Sequence, residues 1–153
     1  MIQFHEIKQN EPPWDLLLLA QPSLENIQTD LKQGLCHVAK IDSEIVGVFV
    51  IVQKSERLWE ITNIAVAPKY QGQKIGKAIL AHAISVAQNL GAREIEIGTG
   101  NSSLNQLAFY QKAGFRIVGV IPDFFTENYN EPIYENGIQC RDSIRLKYRL
   151  TSE

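Results

Sequence analysis

The sequence has few residues that could crosslink the chain or bind a metal ion. It contains two cysteines and three histidines among 153 residues. Cys36 and Cys140 do not form a CxxC pair, which favours reduced thiols over a structural disulfide and predicts a cytoplasmic protein. His5, His37 and His82 are scattered along the chain rather than spaced as ligands. We therefore expect no metal site.

Long apolar runs and a strong charge of one sign are also lacking. The run "LLLLA" at residues 16–20 is far too short to span a membrane. The start, "MIQFHEIKQNE", has neither the basic nor the apolar region of a secretory signal. The net charge of −2 gives no bulk attraction to nucleic acid or anionic membranes. We expect neither of them as a partner.

What the sequence does contain is an alternation of strand and helix patterns in a chain of one-domain length, so we predict a single domain over residues 1–153. "IQFHEI" alternates as a first strand, and "PPWDLLLLA" predicts a helix. A second helix begins at Ser23, a favourable N-cap, and stops at Gly34. "LCHVAKID" and "EIVGVFVIVQ" predict a hairpin that turns near Asp42 and Ser43.

The next segment, "RLWEITNIAVAP", predicts a strand with an irregularity. Ile64 and Val66 alternate as a strand requires, but the three-residue step from Ile61 to Ile64 would place those two on opposite faces. A one-residue bulge around Thr62 and Asn63 restores a common face. We therefore predict a bulged strand.

The second half of the chain continues the alternation. A long helix stops at Gly91, and its predicted apolar stripe is Ile75, Ile79, Ala83, Val86 and Leu90. "AREIEIGTG", "FRIVGVI" and "QCRDSIRLKYRL" predict strands, and Asn136-Gly137 predicts a hairpin turn. A short helix, "SSLNQLAFYQKAG", is predicted to place on one side Leu104, Leu107, Ala108 and Gln111. About seven strands and four helices indicate an α/β or α+β domain around a mixed sheet.

Two glycines and two lysines precede the long helix, in "PKYQGQKIGKAIL". Three residues separate Gly72 from Gly76, whereas a P-loop needs four and a following Lys-Ser/Thr; the fingerprint GxGxxG is also absent. These spacings disfavour a nucleotide-dependent enzyme. A strand, a tight turn and a helix N-terminus nevertheless suit a phosphate group. A plain connection with solvated lysines explains the turn equally well.

The order of elements and two motifs resemble the GCN5-related N-acetyltransferase (GNAT) family over residues 2–150. "VAPKYQGQKIGKAIL" matches the family signature, with Gln71 and Gly76 in place, and "FYQKAGF" at residues 109–115 matches its (L/F)Y-x-x-x-GF motif. Lys74 departs from the pattern, since the family usually has glycine there; its side chain either hinders a pyrophosphate or adds a charge to it. The resemblance implies a mixed, mostly antiparallel sheet whose fourth strand is bulged and splayed from the fifth.

The resemblance implies acetyl-CoA as the cosubstrate and no metal. Pantetheine would bond to the strand backbone at Ile64, Ala65 and Val66. The pyrophosphate would bind the turn formed by Gln71, Gly72, Gln73, Lys74, Ile75, Gly76 and Lys77. Asn105, at the start of the short helix, resembles an asparagine that contacts the cofactor in the family. The usual spacing from Tyr110 falls on Ser103 instead, so this assignment stays open.

Two residues match catalytic positions of the family. Glu60 resembles a base glutamate found in the histone-modifying branch, and Tyr110 occupies the position of a tyrosine that protonates the departing sulfur. The backbone N–H near Val66 would stabilise the oxyanion. As alternatives, Glu60 is an exposed strand carboxylate and Tyr110 is a packing residue.

The connection at residues 122–139 contains acidic and aromatic side chains and no Lys or Arg. Carboxylates would attract a cationic amine, and aromatic faces would hold it by cation–π contact. We therefore take as candidate acceptor contacts Asp123, Phe124, Phe125 and Glu127. A solvated acidic loop anchored by a few buried aromatics is the alternative.

The expected acceptor is a small, positively charged primary amine. A polyamine, an aminoglycoside, an amino-acid amine and a protein N-terminus all stay open. The alternative to an enzyme is a non-catalytic module on the same fold that holds coenzyme A as a sensor or as a platform for partners. Dimers are common among similar enzymes, so a homodimer is also open.

Overall fold

The computed structural model describes residues 1–8 and 11–150. Its helices are α1 Trp14–Ala20, α2 Leu24–Gln33, α3 Ile75–Asn89, α4 Leu104–Lys112 and α5 Phe124–Asn128. Its strands are β1 Gln3–Ile7, β2 Leu35–Ile41, β3 Glu44–Gln53, β4 Leu58–Val66, β5 Glu94–Gly100, β6 Arg116–Ile121, β7 Ile133–Glu135, β8 Ile138–Cys140 and β9 Ser143–Arg149. The chain divides into two compact units, Met1–Arg93 and Glu94–Glu153.

In the first unit, β1 to β4 form an antiparallel arrangement in chain order. Alternate residues of β3 face opposite sides, so that Val48, Val50 and Val52 pack in one core with Leu17 of α1 and Ile27 of α2. Helix α3 packs against β3 and β4. The predicted hairpin between β2 and β3 is confirmed.

The signals at the ends of α2 act as predicted. Ser23 Oγ accepts a hydrogen bond of 3.2 Å from the Asn26 N–H and so caps the helix. Gly34 follows the last helical residue, and its N–H donates to the Asp30 carbonyl over 2.8 Å. The chain then continues directly into β2.

Strand β4 contains the predicted bulge. Ile61 pairs with Ile51 and Asn63 pairs with Val50, so Thr62 has no partner on β3. The extra residue reverses the alternation of side chains along β4. Glu60 and Asn63, three residues apart, therefore point to the same side, as Val52 and Val50 opposite them do.

Helix α3 buries a face displaced from the predicted one. Its buried residues are Ile75, Ile79, Leu80, Ala83 and Ala87. Val86 is half-buried, and Leu90 is 46% exposed, so including them in the stripe was wrong. The helix ends at Asn89, and Leu90 lies beyond its last turn. Gly47 of β3 allows close packing, because a Cβ there would lie 2.2 Å from Ile79 Cδ1.

In the second unit, β9 lies between β5 and β6 and is antiparallel to both. The hairpin at Asn136-Gly137 is confirmed: it joins β7 to β8, and both turn residues have positive φ. The segment "QCRDSIRLKYRL" forms the end of β8 and all of β9 rather than one strand.

One expectation for the helices of this unit was wrong, and one helix had not been expected. The predicted stripe on α4 is not its buried face, because Leu104 and Ala108 are exposed and the residue that α4 buries is Tyr110. The covered side of this short helix is therefore that of the Tyr110 ring. Helix α5 was not predicted.

Candidate active site

The turn between β4 and α3 has the geometry of an anion-binding loop. Gly72, with φ +80°, and Lys74, with φ 66°, are left-handed, whereas Gln73 between them is not. Such alternation directs successive backbone N–H groups toward a common point. Lys74 is the N-cap of α3 and makes no side-chain capping bond, so the N–H groups of the first turn stay available to a ligand. An anionic diphosphate fits this cradle.

The left-handed conformation of Lys74 explains why glycine is usual at this position in the family that the sequence resembles. For a residue with a Cβ, a left-handed backbone costs about 1–2 kcal/mol. The Lys74 and Lys77 side chains are exposed, whereas Ile75 is 5% exposed and anchors the turn in the core. The strained residue therefore brings a positive charge to the cradle that glycine would not.

The end of β4 leads straight into this turn. Ile64, Ala65 and Val66 pair with β3, and the Gln71 side-chain amide donates to the Val66 carbonyl over 3.1 Å. This bond ties the turn back to the strand. The two predicted groups of cofactor contacts, on the strand and in the turn, are thus held together in the first unit.

Glu60 also lies on β4 but precedes the bulge, whereas residues 64–66 follow it. Its side chain is 16% exposed, and its Oε1 lies 3.4 Å from Lys54 Nζ. The expectation of an exposed strand carboxylate is therefore wrong for this side chain. Asp30 of α2 is near enough for the Glu60 charge to raise its pKa, although burial is the larger cause of that increase. Pattern reasoning missed both Lys54 and Asp30, because no spacing along the chain connects them with Glu60.

Tyr110 is held at the end of α4. Its carbonyl accepts from the Phe115 N–H over 3.0 Å, closing the turn at Gly114. Its ring is 6% exposed and contacts Phe109 and Phe115, with centroids 5.5 and 6.0 Å away. Burial raises the pKa of Tyr110 to about 12. The phenol is therefore fully protonated at neutral pH.

The polar residues before α4 have structural partners. Asn101 Oδ1 accepts from the N–H groups of Arg141 and Asp142, over 2.7 and 2.9 Å. Ser103 Oγ donates to Glu135 Oε1 over 2.7 Å. These bonds connect α4 to the β7–β8 hairpin and the start of β9. Asn105 is exposed on the first turn of α4, where a ligand could reach it.

Part of the acidic and aromatic connection after β6 forms α5. Asp123 is the left-handed N-cap of this helix and Glu127 lies within it, and both side chains are exposed. Phe124 and Phe125 are half-buried and contact each other edge to face, with centroids 5.1 Å apart. Phe125 also stacks on Tyr129. The four predicted acceptor contacts therefore belong to one short segment of the second unit, α5 and its N-cap.

Among the described residues, no group of three or more His, Cys, Asp or Glu side chains is placed to hold a metal ion. None of the helices at residues 1–8 and 11–150 is both long enough and apolar enough to cross a membrane.

Comparison with known proteins identifies the family. The model of the acetyltransferase (GNAT) family matches residues 1–115. The chain belongs to the GNAT family. As a GNAT enzyme it is an N-acetyltransferase that uses acetyl-CoA as its acetyl donor, and the predicted family, enzyme class and cosubstrate are confirmed.

Close relatives agree with this assignment. The chain is 48% identical over 137 residues to the uncharacterized N-acetyltransferase YvbK of Bacillus subtilis, covering 90% of this chain and 88% of that one. A GNAT acetyltransferase from Elizabethkingia anophelis, solved with acetyl-CoA bound, is 47% identical with a TM-score of 0.95, covering 97% and 98% of the two chains. A Bacillus subtilis acetyltransferase in complex with CoA is 43% identical with a TM-score of 0.95, covering 99% and 100%. The predicted mixed, mostly antiparallel α/β fold of this GNAT enzyme is confirmed.

Proposed function

We propose that this GNAT enzyme transfers the acetyl group of acetyl-CoA to a small, positively charged primary amine. In this proposal, Glu60 is the general base and Tyr110 donates a hydrogen bond to the departing sulfur. The observation that carries the choice of acceptor is the α5 surface, defined as α5 with its N-cap, where exposed Asp123 and Glu127 accompany half-buried Phe124 and Phe125. Carboxylates and aromatic faces together favour a cation.

The proposed contacts with acetyl-CoA follow the two groups held together in the first unit. The backbone of residues 64–66 would bond to the pantetheine arm, and the turn at residues 71–77 would bind the diphosphate. Left-handed Gly72 and Lys74 and the uncapped N-terminus of α3 support this assignment. Asn105 of α4 is a further proposed contact, supported by its exposure alone.

The need for a base follows from the acceptor. An alkylamine has a pKa of about 10.4, so at pH 7 only roughly one molecule in two thousand is neutral and nucleophilic. Glu60 would accept a proton from the acceptor, directly or through water. The neutral nitrogen then attacks the thioester carbon, and the carbon–sulfur bond breaks as the amide bond forms. Coenzyme A leaves as a thiolate, and the second proton that the nitrogen loses passes to this sulfur through solvent.

Tyr110 would act on the departing sulfur. Its pKa of about 12 keeps the phenol protonated, as a donor must be. A simple thiol has a pKa of about 8.5, so complete proton transfer from this phenol to a thiolate is uphill. Tyr110 would therefore stabilise the sulfur mainly through a hydrogen bond that strengthens as charge develops on it.

The proposal is tested by turnover with a panel of amines. We expect release of coenzyme A, measured by thiol formation, to be fastest with small primary alkylamines that carry no carboxylate. Matched acceptors that differ only by an added carboxylate should have higher KM values. If the best acceptor in the panel is anionic, the proposed acceptor class is wrong.

For Tyr110→Phe, we expect kcat and kcat/KM to fall together by about 10- to 100-fold, since a transition-state contact is lost. The dissociation constant for coenzyme A, measured by calorimetry, should change by less than about threefold, because the ring and its packing remain. Tyr148→Phe is the matched control: this half-buried tyrosine also contacts Phe115. Equal rates for wild type and Tyr110→Phe would remove Tyr110 from the mechanism.

Neutralising Asp123 and Glu127 together, as Asp123→Asn and Glu127→Gln, should raise KM for a cationic acceptor. Two exposed charge contacts correspond to about a 3- to 10-fold effect. The effect should shrink at high salt, because screening shortens the range of exposed charges to about 3 Å at 1 M. Steady-state kinetics at low and at high ionic strength measure the increase in KM and its dependence on salt.

A double variant of exposed residues in the first unit, Glu11→Gln with Glu56→Gln, changes the net charge by the same amount and serves as the control. The affinity for acetyl-CoA should be unchanged in both double variants. If both raise KM equally, net charge rather than the α5 surface attracts the acceptor.

A further inference from the structure

Hydrogen-bond acceptors gather on the α2 side of β4. Because of the bulge at Thr62, Glu60 and Asn63 point to the same side of the strand, opposite Val52 and Val50. Those two valines belong to the core beneath α1 and α2. The side chains of Glu60 and Asn63 therefore both approach the layer formed by these helices.

Asn63 has an acceptor that the described part of the chain leaves unpaired. The residue is 5% exposed, and its Nδ2 donates to the Leu17 carbonyl over 3.0 Å. That bond fixes the orientation of the amide. Its Oδ1 is buried and has no hydrogen-bond partner among the described residues. A buried acceptor without a donor is unfavourable, so this oxygen indicates a site for a ligand N–H or O–H.

Asp30 adds a second carboxylate to Glu60. It lies three residues after Ile27, on the side of α2 that faces the sheet, and it is half-buried. Burial raises the pKa of Asp30, the charge of Glu60 raises it further, and Lys54 acts in the opposite direction. The two carboxylates are thus close enough to repel each other and are influenced by the same lysine.

Lys54 is placed to give way to a ligand. It follows the end of β3, its side chain is 41% exposed, and its Nζ lies 3.4 Å from Glu60 Oε1. A flexible, partly exposed side chain can rotate into solvent at little cost. An arriving cation can then replace its charge beside the carboxylates.

We propose that Asp30, Glu60 and Asn63 bind the ammonium group of the acceptor, and that Lys54 is an internal competitor for this position. An alkylammonium group has three N–H donors, and the cluster offers one oxygen from each of three side chains. The inference rests on the proposed function, in that it assumes a cationic primary amine and Glu60 as its base. Asp30 and Lys54 are then residues that determine acceptor specificity.

The test is a titration with n-butylammonium chloride in the presence of coenzyme A, followed by the NMR signals of the Asn63 side-chain amide. We expect Lys54→Met to tighten binding about 3- to 5-fold. Lys54→Arg should leave the affinity within about twofold of wild type. Asp30→Asn should weaken binding by at least about 10-fold. Tetramethylammonium, a cation without N–H donors, should not shift the Asn63 signals.

Lys69→Met provides the matched control, because Lys69 belongs to the same unit and pairs with Glu44 over 3.9 Å. It should not change the affinity. Unchanged or weaker binding to Lys54→Met would overturn the proposal, even if Asp30→Asn does not fold. So would tetramethylammonium binding as tightly as n-butylammonium.

Failure of this inference can be told apart from failure of the proposed function. If Glu60→Gln abolishes turnover of amines while Lys54→Met and Asp30→Asn bind n-butylammonium as wild type does, the base assignment stands and the subsite is wrong. If the affinities change as expected but n-butylamine is not acetylated, the ammonium subsite stands and the proposed acceptor class is wrong.

Discussion

Replacing Gly76 with aspartate is expected to lower the affinity for acetyl-CoA and coenzyme A by at least about 100-fold. Gly76 is the second residue of α3, two positions after left-handed Lys74. A carboxylate there would repel the diphosphate and would itself accept bonds from the N–H groups of the cradle; each lost bond to a charged group is worth about 1.5–3 kcal/mol. Isothermal titration calorimetry measures the change directly.

The same substitution should not unfold the protein. An acidic residue in the first turn stabilises a helix through its dipole, typically by about 0.3–1 kcal/mol, so the melting temperature without ligand should stay equal or rise. Gly76→Asn is the matched control, since asparagine has nearly the same size and no charge. We expect it to weaken binding much less than aspartate. An affinity of Gly76→Asp within about threefold of wild type would show that the diphosphate binds elsewhere.

Glu60→Gln is expected to lower kcat/KM by about 10²–10⁴ at pH 7, the usual contribution of a general base. The defect should shrink as the pH approaches the pKa of the amine, about 10.4, because the free amine no longer needs a base. A pH profile of kcat/KM from 6.5 to 10 checks both statements. The affinity for coenzyme A should not change.

Glu94→Gln is the control for this variant. Glu94 is also a strand carboxylate, paired with Lys147 over 3.8 Å and with Arg149 over 3.3 Å. Because its loss removes both pairs, it should affect stability at least as much as the loss of the Glu60 pair and leave the pH profile intact. A constant defect at every pH in Glu60→Gln would indicate a structural role for the carboxylate.

Capping and turn residues, together with the alternation of side chains along strands, made much of the fold predictable. Ser23 and Gly34 marked the ends of α2, and the Asn136-Gly137 pair marked a hairpin, because each of these residues satisfies a local backbone requirement. The bulge in β4 was predicted because Ile61 and Ile64, three residues apart, would lie on opposite faces of a regular strand. These signals act within a few residues, which is why one sequence suffices to read them.

Features set by contacts distant in sequence were not predictable in this way. Helix α5 has only five residues and follows a proline and an aspartate typical of a turn, so its pattern is too short to recognise. The buried side of α4 depends on how Tyr110 packs against Phe115. For the candidate site, motifs indicated the turn, Glu60 and Tyr110, but not the neighbours of Glu60. Lys54 and Asp30 reach it only through the pairing of β3 with β4 and the packing of α2.

The bulge at Thr62 also decides which changes of chain length would move Glu60. The end of β4 is fixed by its bonds to β3 and by the Gln71 bond to Val66. Deleting Thr62 would remove the unpaired residue and keep the pairs of Ile61 with Ile51 and of Asn63 with Val50, so Glu60 would stay on the α2 side. Inserting one residue between Glu60 and Ile61 would instead turn every earlier side chain of the strand over, moving Glu60 to the α3 side and Trp59 to the α2 side. Such an insertion would separate the proposed base from its acceptor, whereas loss of the bulged residue would not.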